Sequence, residues 1–246
     1  MVVKTVDELE GMKTACLIVR EILEYIKGVI RPGMSTYDIE EISMKIMERK
    51  KVIPAFKGYS GYPANICVSV NEEVVHGIPR KDKILKEGDI VSVDIGVIYN
   101  GFYGDCADTF PVGKISKEHK ELINVTKKAF YIGVEQIKEG ATTGDIGNAI
   151  QKFVEENGFS VVRAFAGHGI GRKLHEYPEV ANFGEKGEGE ILKEGMVLCI
   201  EPMVNEGSYE VEILEDGWTA VTSDGKYSAH YENEVIVRKE KGEVLS

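Results

Sequence analysis

The chain has 246 residues, 43% of them hydrophobic and 29% charged, with a formal net charge of −11. That balance belongs to an ordinary folded protein, and the acidic excess excludes a broad basic face for nucleic acid. No apolar run approaches the roughly 18 residues that a membrane span needs.

Taken in chain order, Thr5 and Glu8 have the spacing of a capping box and open an apolar-periodic helix to about Lys27. Pro32 and Gly33 break it, and Ser35 or Thr36 caps a second helix to about Arg49. Two strands follow, Asp89–Val97 and Gly101–Val112, joined at Asn100-Gly101, a strong hairpin signal. Ser116 then caps a helix ending near Gly140, and Thr142 or Thr143 caps another ending near Gly158. The stretch "RAFAGHGIGRKLHEYP" reads as a glycine-rich loop that passes close to something and carries His168 and His175. Strands are expected again at Met196–Val204, as a pair near Tyr209–Thr222, and at Ser228–Arg238. The N-terminal "MVVKTVDELEGMK" has no signal-peptide core, and Cys16, Cys67, Cys106 and Cys199 are too scattered for a disulfide frame. Reduced, buried thiols in a cytoplasmic protein are expected.

The order of elements occurs twice. "ILKEG" appears at Ile84 and again at Ile191, and "GMSTYDI" from Gly33 matches "GATTGDI" from Gly140 at the same spacing of 107 residues. Two matches in one register point to duplication, with halves of about 1–115 and 116–246. No Pro/Gly/Ser-rich linker divides them, so one domain is expected. Two helices plus antiparallel strands, given twice, make an α+β fold with pseudo-twofold symmetry.

That register exposes an anomaly. Asp94 in "VSVDIGV" and Glu201 in "LCIEPMV" are equivalent positions, each an acid flanked by apolar residues. Burying an ionised carboxylate costs several kcal/mol unless it is paired or bound to metal. The following strands add Asp105 and Asp108, then Glu232 and Glu234. Alternation puts Asp105 and Asp108 on opposite faces, so one of the two points inward, and the pattern leaves open which. With His168 the cluster becomes carboxylates plus one imidazole, a hard donor set suited to Mn, Fe(II), Co or Zn. It holds too many acids for one dication and enough for two, about 3.5–4 Å apart. A phosphate-binding reading of "GHGIG" fails, because no Lys-Ser/Thr follows and no βαβ unit surrounds it.

The set Asp94, Asp105, "GHGIG" with His168, "EPM" with Glu201 and "YE" with Glu232 resembles the methionine aminopeptidases, specifically their short bacterial type 1 form. The similarity runs over nearly the whole chain and includes "YPANICVSVNEEVVHGIP". It implies the pita-bread fold shared with the creatinase/aminopeptidase-like proteins. It also implies Asp94, Asp105, His168, Glu201 and Glu232 as ligands of two divalent ions (Co, Fe(II), Mn or Zn), with Asp105 and Glu232 bridging. Asp94 would serve one ion, and His168 with Glu201 the other. A bridging hydroxide would attack the scissile carbonyl, with Glu201 as proton shuttle and His76 and His175 as non-ligand catalytic histidines. Tyr59, Tyr62, Cys67 and Trp218 match the family's methionine pocket. Leu174 stands where bacterial relatives often have Phe, and Phe183 where Tyr or Trp is more usual; Leu174 bears on the shape of that pocket. The resemblance further implies action on nascent polypeptide N-termini whose second residue is small, in the cytoplasm and beside the ribosome, with no nucleic acid or membrane bound. A monomer is expected. Two alternatives stand beside this reading. One is an Xaa-Pro aminopeptidase of the same fold, whose extra N-terminal domain this length would not hold. The other is a non-enzymatic binding relative, which the full set of ligands argues against.

Overall fold

The computed structural model describes residues 2–246. Helix α1 (Val6–Val29) is capped by Thr5, whose hydroxyl accepts from the Glu8 N–H at 3.2 Å. The Glu8 carboxylate reaches back to the Lys4 N–H instead of that of Thr5, so the cap is half of the expected box. Helix α2 (Thr36–Lys50) has the complete reciprocal box between Ser35 and Asp38. Short strands β1 (Ile53–Pro54), β2 (Cys67–Val70) and β3 (Glu73–Val75) lead into the long hairpin of β4 (Ile90–Tyr99) and β5 (Phe102–Pro111). Its turn has φ of 49° at Asn100 and 78° at Gly101, the left-handed pair that matches strand twist.

The second half repeats the plan. Helix α3 spans Lys117–Val134 and α4 spans Thr143–Glu156, again with a complete box, Thr142 to Asp145. Helix α3 ends six residues before the expected Gly140. The chain tightens there into three-residue turns at Gln136 and Ile137, which bury Ile137 and bring the Gly140 N–H to the Leu192 carbonyl. Strands β6 (Ser160–Val161), β7 (Ala166–Gly169), β8 (Glu176–Ala181), β9 (Val197–Ile200) and β10 (Met203–Asn205) follow. The chain then runs through β11 (Val211–Ile213), β12 (Ala220–Thr222), β13 (Ser228–His230), β14 (Asn233–Val237) and β15 (Gly242–Val244).

The duplication read from sequence is present in the hydrogen bonds. Bridges Ser35–Ile84 and Thr142–Ile191 are 107 residues apart. So are the bonds from Gly33 N to Leu85 O at 2.8 Å and from Gly140 N to Leu192 O at 2.9 Å. Each half has its own apolar core: α1 and α2 pack on β4 and β5, while α3 and α4 pack on β9 and β14. The fold is the α+β pita-bread arrangement, and every strand pairing is antiparallel. The sheets of the two halves meet where Ala107 of β5 exchanges backbone bonds with Glu232 (3.0 and 3.3 Å).

Two expectations change. The hairpin β11–β12 has no counterpart in the first copy; it is an addition to the second copy and docks across on β3 of the first half. The strands expected at 196–204 and 228–238 are each interrupted, at Glu201-Pro202 and at Tyr231-Glu232. Pro202 has no N–H to continue a ladder. Both breaks fall on carboxylates that the sequence nominated.

The close fit of α1 on β5 depends on Gly104. A Cβ there would meet the Ala15 carbonyl carbon at 2.5 Å, whereas one at Gly28, in the same helix, would meet nothing within 4 Å. Gly104→Ala is expected to lower stability by about 1–3 kcal/mol through overpacking. Gly28→Ala is expected to raise it by about 0.5–1 kcal/mol through helix propensity. Urea unfolding of both variants checks the opposite signs.

Candidate metal centre

The side chains nominated from sequence line a single cavity of about 290 Å³. Its floor is acidic. Asp94 projects from the middle of β4 and Asp105 from β5, while Glu201 and Glu232 occupy the two strand breaks. His168 projects from β7. Its Nε2 lies 3.6 Å from Glu201 Oε1 and 3.9 Å from Asp105 Oδ2. These separations exceed a hydrogen bond but fit two ligands of one ion, which at bond lengths of about 2.1 Å stand roughly 3–4 Å apart.

The glycines around His168 have a different job from the one expected. Ala166–Gly169 is strand, and the expected loop is confined to residues 170–175, with Gly171 and His175. A Cβ at Gly167 would lie 2.3 Å from the Cys199 carbonyl of β9, and one at Gly169 would lie 2.3 Å from the Tyr177 carbonyl of β8. Bare backbone therefore lets neighbouring strands close on both sides of the imidazole. A register shift between His168 and Gly169 marks the spot. The His168 Nδ1 lies 3.0 Å from the Gly169 carbonyl; donating there leaves Nε2 with a free lone pair aimed at the carboxylates.

The residue choice left open by alternation also has an answer. Asp105 faces the cavity, and Asp108 turns to the other side of β5, where its Oδ2 is 3.6 Å from the Arg20 guanidinium. Beneath the floor, buried Glu234 accepts the Asp105 N–H at 2.8 Å.

Four carboxylates in so small a volume repel one another and lose their hydration. Asp94 Oδ1, Asp105 Oδ1 and Glu232 Oε1 are buried with no hydrogen-bond partner. Burial pushes Asp94 up to about 7 and Glu201 up to about 8, and pushes Asp105 and Glu232 well above the carboxylate range with help from their neighbours' charge. Orphaned anionic oxygens of this kind call for cations. Ligand atoms of Asp105, His168 and Glu232 lie within 4.8 Å of one another, together with the Cys199 sulfur, and Glu232 recurs in a second group with Glu201 and His230. Burial among acids pushes the Cys199 thiol up in the metal-free site.

The walls are apolar. Tyr62, Cys67, Phe56 and Leu174 form a small cluster of their own, with Trp218 edge-on to Tyr62 at 5.1 Å between ring centroids. The Tyr62 hydroxyl is used up inside the wall, donating toward the Ile66 and Gly77 carbonyls. Leu174 is a buried wall residue, and Phe183 lies outside the cavity, packed on the core of the second half. Tyr59 does more than line the wall: its hydroxyl is 3.0 Å from His175 Nδ1. His76 sits in the left-handed region (φ 61°), a strained conformation for a non-glycine, with Phe165 edge-on against its ring. Burial, reinforced by His230 and His175, lowers His76 to about 4, and burial lowers His175 as well, so both rings are neutral near pH 7. Sequence reasoning missed His230, whose Nε2 is 3.6 Å from Glu201 Oε2. Its position at the end of "SAH", two residues before Glu232, was the available signal.

A buried set of four carboxylates and one imidazole, at the bottom of an apolar cavity on a twofold-duplicated α+β frame, defines a metal-dependent hydrolase of the pita-bread class. Residues 10–239 match the model of metallopeptidase family M24. The methionine aminopeptidase of Clostridium perfringens is 50% identical over 246 residues, spanning 100% of this chain and 98% of its own. The crystal structure of the methionine aminopeptidase from Thermotoga maritima superposes with a TM-score of 0.97 at 48% identity, covering 100% of this chain and 99% of that one. An X-Pro aminopeptidase from Thermotoga maritima superposes at 0.78 with 22% identity and is spanned over only 62% of its length, a likeness of fold alone. The chain belongs to the methionine aminopeptidases of metallopeptidase family M24. Membership implies a divalent metal cofactor, and the orphaned carboxylate oxygens fit one.

The pH dependence of the metal-free protein tests this electrostatic picture. Between about pH 6.5 and 8 the acids of an unfolded chain are ionised and its histidines pass from about half protonated to neutral, while the folded cluster of four raised carboxyls holds the larger number of protons. The folded state then binds more protons than the unfolded one, so stability falls as pH rises through that window. In chelator the melting temperature is expected to drop from pH 6.5 to 8, and saturating Mn(II) to abolish the drop. A flat profile in chelator would show that the acids are already ionised.

Proposed function

We propose that this chain removes the N-terminal methionine from nascent proteins and peptides whose second residue is small. The observation that carries the reading is the acidic floor of the cavity, closed in by walls of Tyr62, Cys67, Leu174 and Trp218. A free amino terminus is drawn to the acidic floor and an unbranched thioether to the apolar, polarisable wall. An internal stretch of polypeptide has no positive end to place there.

Asp94, Asp105, His168, Glu201 and Glu232 are the proposed ligands of two divalent ions, with Asp105 and Glu232 shared. The presence of Glu232 in both groups of converging donor atoms supports its bridging role. Manganese, iron(II), cobalt and zinc all suit the donor set. When bound, such ions polarise a carbonyl and lower the pKa of water enough to give a nucleophile at neutral pH. Glu201 takes the proton of the attacking water and passes it to the leaving amine. His175 donates to the developing oxyanion, with Tyr59 holding its Nδ1 so that the proton rests on Nε2. His76, on the facing wall, hydrogen-bonds the scissile nitrogen.

We place the chain in the cytoplasm, as one catalytic domain acting as a monomer on nascent chains at the ribosome. The scattered cysteines, all free and buried, support a reducing compartment, and among the described residues no helix is long and apolar enough to cross a membrane. The net charge of −11 argues against direct contact with RNA.

Replacing Glu201 by Ala is expected to abolish turnover and lose metal, whereas His175→Ala slows turnover and keeps it; metal analysis of the purified variants separates the roles, and equal metal loss would refute them. Tyr59→Phe keeps the ring, so kcat should fall about 3–10-fold with KM little changed, the worth of one hydrogen bond. On a Met-Ala-Ser peptide kcat/KM should exceed that on an Xaa-Pro peptide by at least about tenfold. The reverse order would favour the proline-specific alternative.

A further inference from the structure

His230 lies outside the ligand set that the resemblance supplies, yet it is built into the floor of the site. It ends β13, two residues before Glu232, and is 1% exposed. Its Nε2 has no hydrogen-bond partner and stands 3.6 Å from Glu201 Oε2 and 4.0 Å from Glu232 Oε2. The backbone beneath it is pinned from the opposite half: the Thr109 hydroxyl donates to the His230 carbonyl at 2.8 Å and accepts from its N–H at 2.9 Å. Thr109 is in turn 2.8 Å from the Ser92 hydroxyl. A polar relay from β4 through β5 to β13 thus fixes where this imidazole points.

Comparison with His168 separates two possible jobs. A metal-binding imidazole almost always donates its second ring N–H to a carboxylate, a backbone carbonyl or a water. His168 has that acceptor, the Gly169 carbonyl at 3.0 Å. His230 Nδ1 has no such acceptor among the described residues. Each oxygen of Glu201 also faces a different imidazole, Oε1 toward His168 and Oε2 toward His230, both at 3.6 Å. With the acids ionised around bound cations, an N–H at His230 Nε2 is attracted by both carboxylates across 3.6 and 4.0 Å.

We propose that His230 is a positioning residue for Glu201. Its Nε2–H attracts Oε2 electrostatically across 3.6 Å, biases the carboxylate toward one orientation and leaves Oε1, on the His168 side, for the cation. The inference rests on the metallopeptidase reading of the same acids. It adds a residue that tunes metal affinity without binding metal.

The test is direct titration of the chelator-treated full-length chain with Mn(II), followed by calorimetry and by the EPR signal of free Mn(II), with no peptide substrate involved. His230→Leu, which cannot donate, should bind Mn(II) about 10–100-fold more weakly than the wild type. His230→Gln, whose amide donor has a similar reach, should stay within about threefold. Circular dichroism checks folding. If the Leu variant does not fold, His230→Asn, whose amide stops short of Glu201, takes its place with the same expected loss. Wild-type affinity in the Leu or Asn variant would overturn the proposal. So would a Gln variant as weak as Leu, since the imidazole would then itself be a ligand. Failure of the wild type to take up Mn(II) would overturn the metallopeptidase reading along with it.

Discussion

Mutual repulsion among four buried carboxylates is the constraint on which the rest of this molecule depends. Asp105 and Glu232 are buried, Asp94 and Glu201 half-buried, and burial raises the proton affinity of all four, with neighbouring charge adding to it at Asp94, Asp105 and Glu232. No arrangement of protein donors balances them. His168 is aimed at them, and His230 Nε2 and several of the acid oxygens are left without a bond. The frame tolerates this because two full cores, one in each half, lie behind the floor. Such a site is costly while bare and becomes favourable only when cations supply the missing charge.

The frame delivers the acids by two different devices. In the first half they ride on uninterrupted strands, Asp94 on β4 and Asp105 on β5. In the second half the strands stop and the acids occupy the gaps, with Pro202 refusing a ladder bond after Glu201 and Asn182 donating to the Glu201 carbonyl at 3.0 Å. A continuous strand fixes a side chain's face; a gap lets its carbonyl and carboxylate be steered separately.

Much of this was readable in advance because it follows from residue type at fixed spacing. The 107-residue register exposed the Asp94–Glu201 equivalence, and an acid amid apolar neighbours flagged itself on the cost of burial. The caps at Ser35, Ser116 and Thr142 were legible because capping chemistry is local. What escaped was decided by contacts distant in sequence. The glycines around His168 read as a loop, since nothing local reveals that Cys199 and Tyr177 carbonyls close in on them. Alternation alone left Asp105 and Asp108 indistinguishable; the resemblance named Asp105, and Arg20 of α1 holds Asp108 on the other face. His230 carried no motif of its own, and its place under Glu201 depends on Thr109, more than 100 residues away. The residues named for the wall line the cavity, but the bond from Tyr59 to His175 spans two separate segments.

The bridge between Ala107 and Glu232 has a consequence for the history of the chain. It is where the sheets of the two repeats are stitched together, and one of its members is itself an acid of the site. The metal centre therefore lies on the pseudo-dyad between the copies. The first copy contributes Asp94 and Asp105, the second His168, Glu201 and Glu232, and neither holds a complete ring. A half-length ancestor would have closed such a ring only by pairing with its own twin, giving a symmetric four-acid centre. In the fused chain the two sides differ: one has its strands whole, while the other has them broken and carries the imidazole.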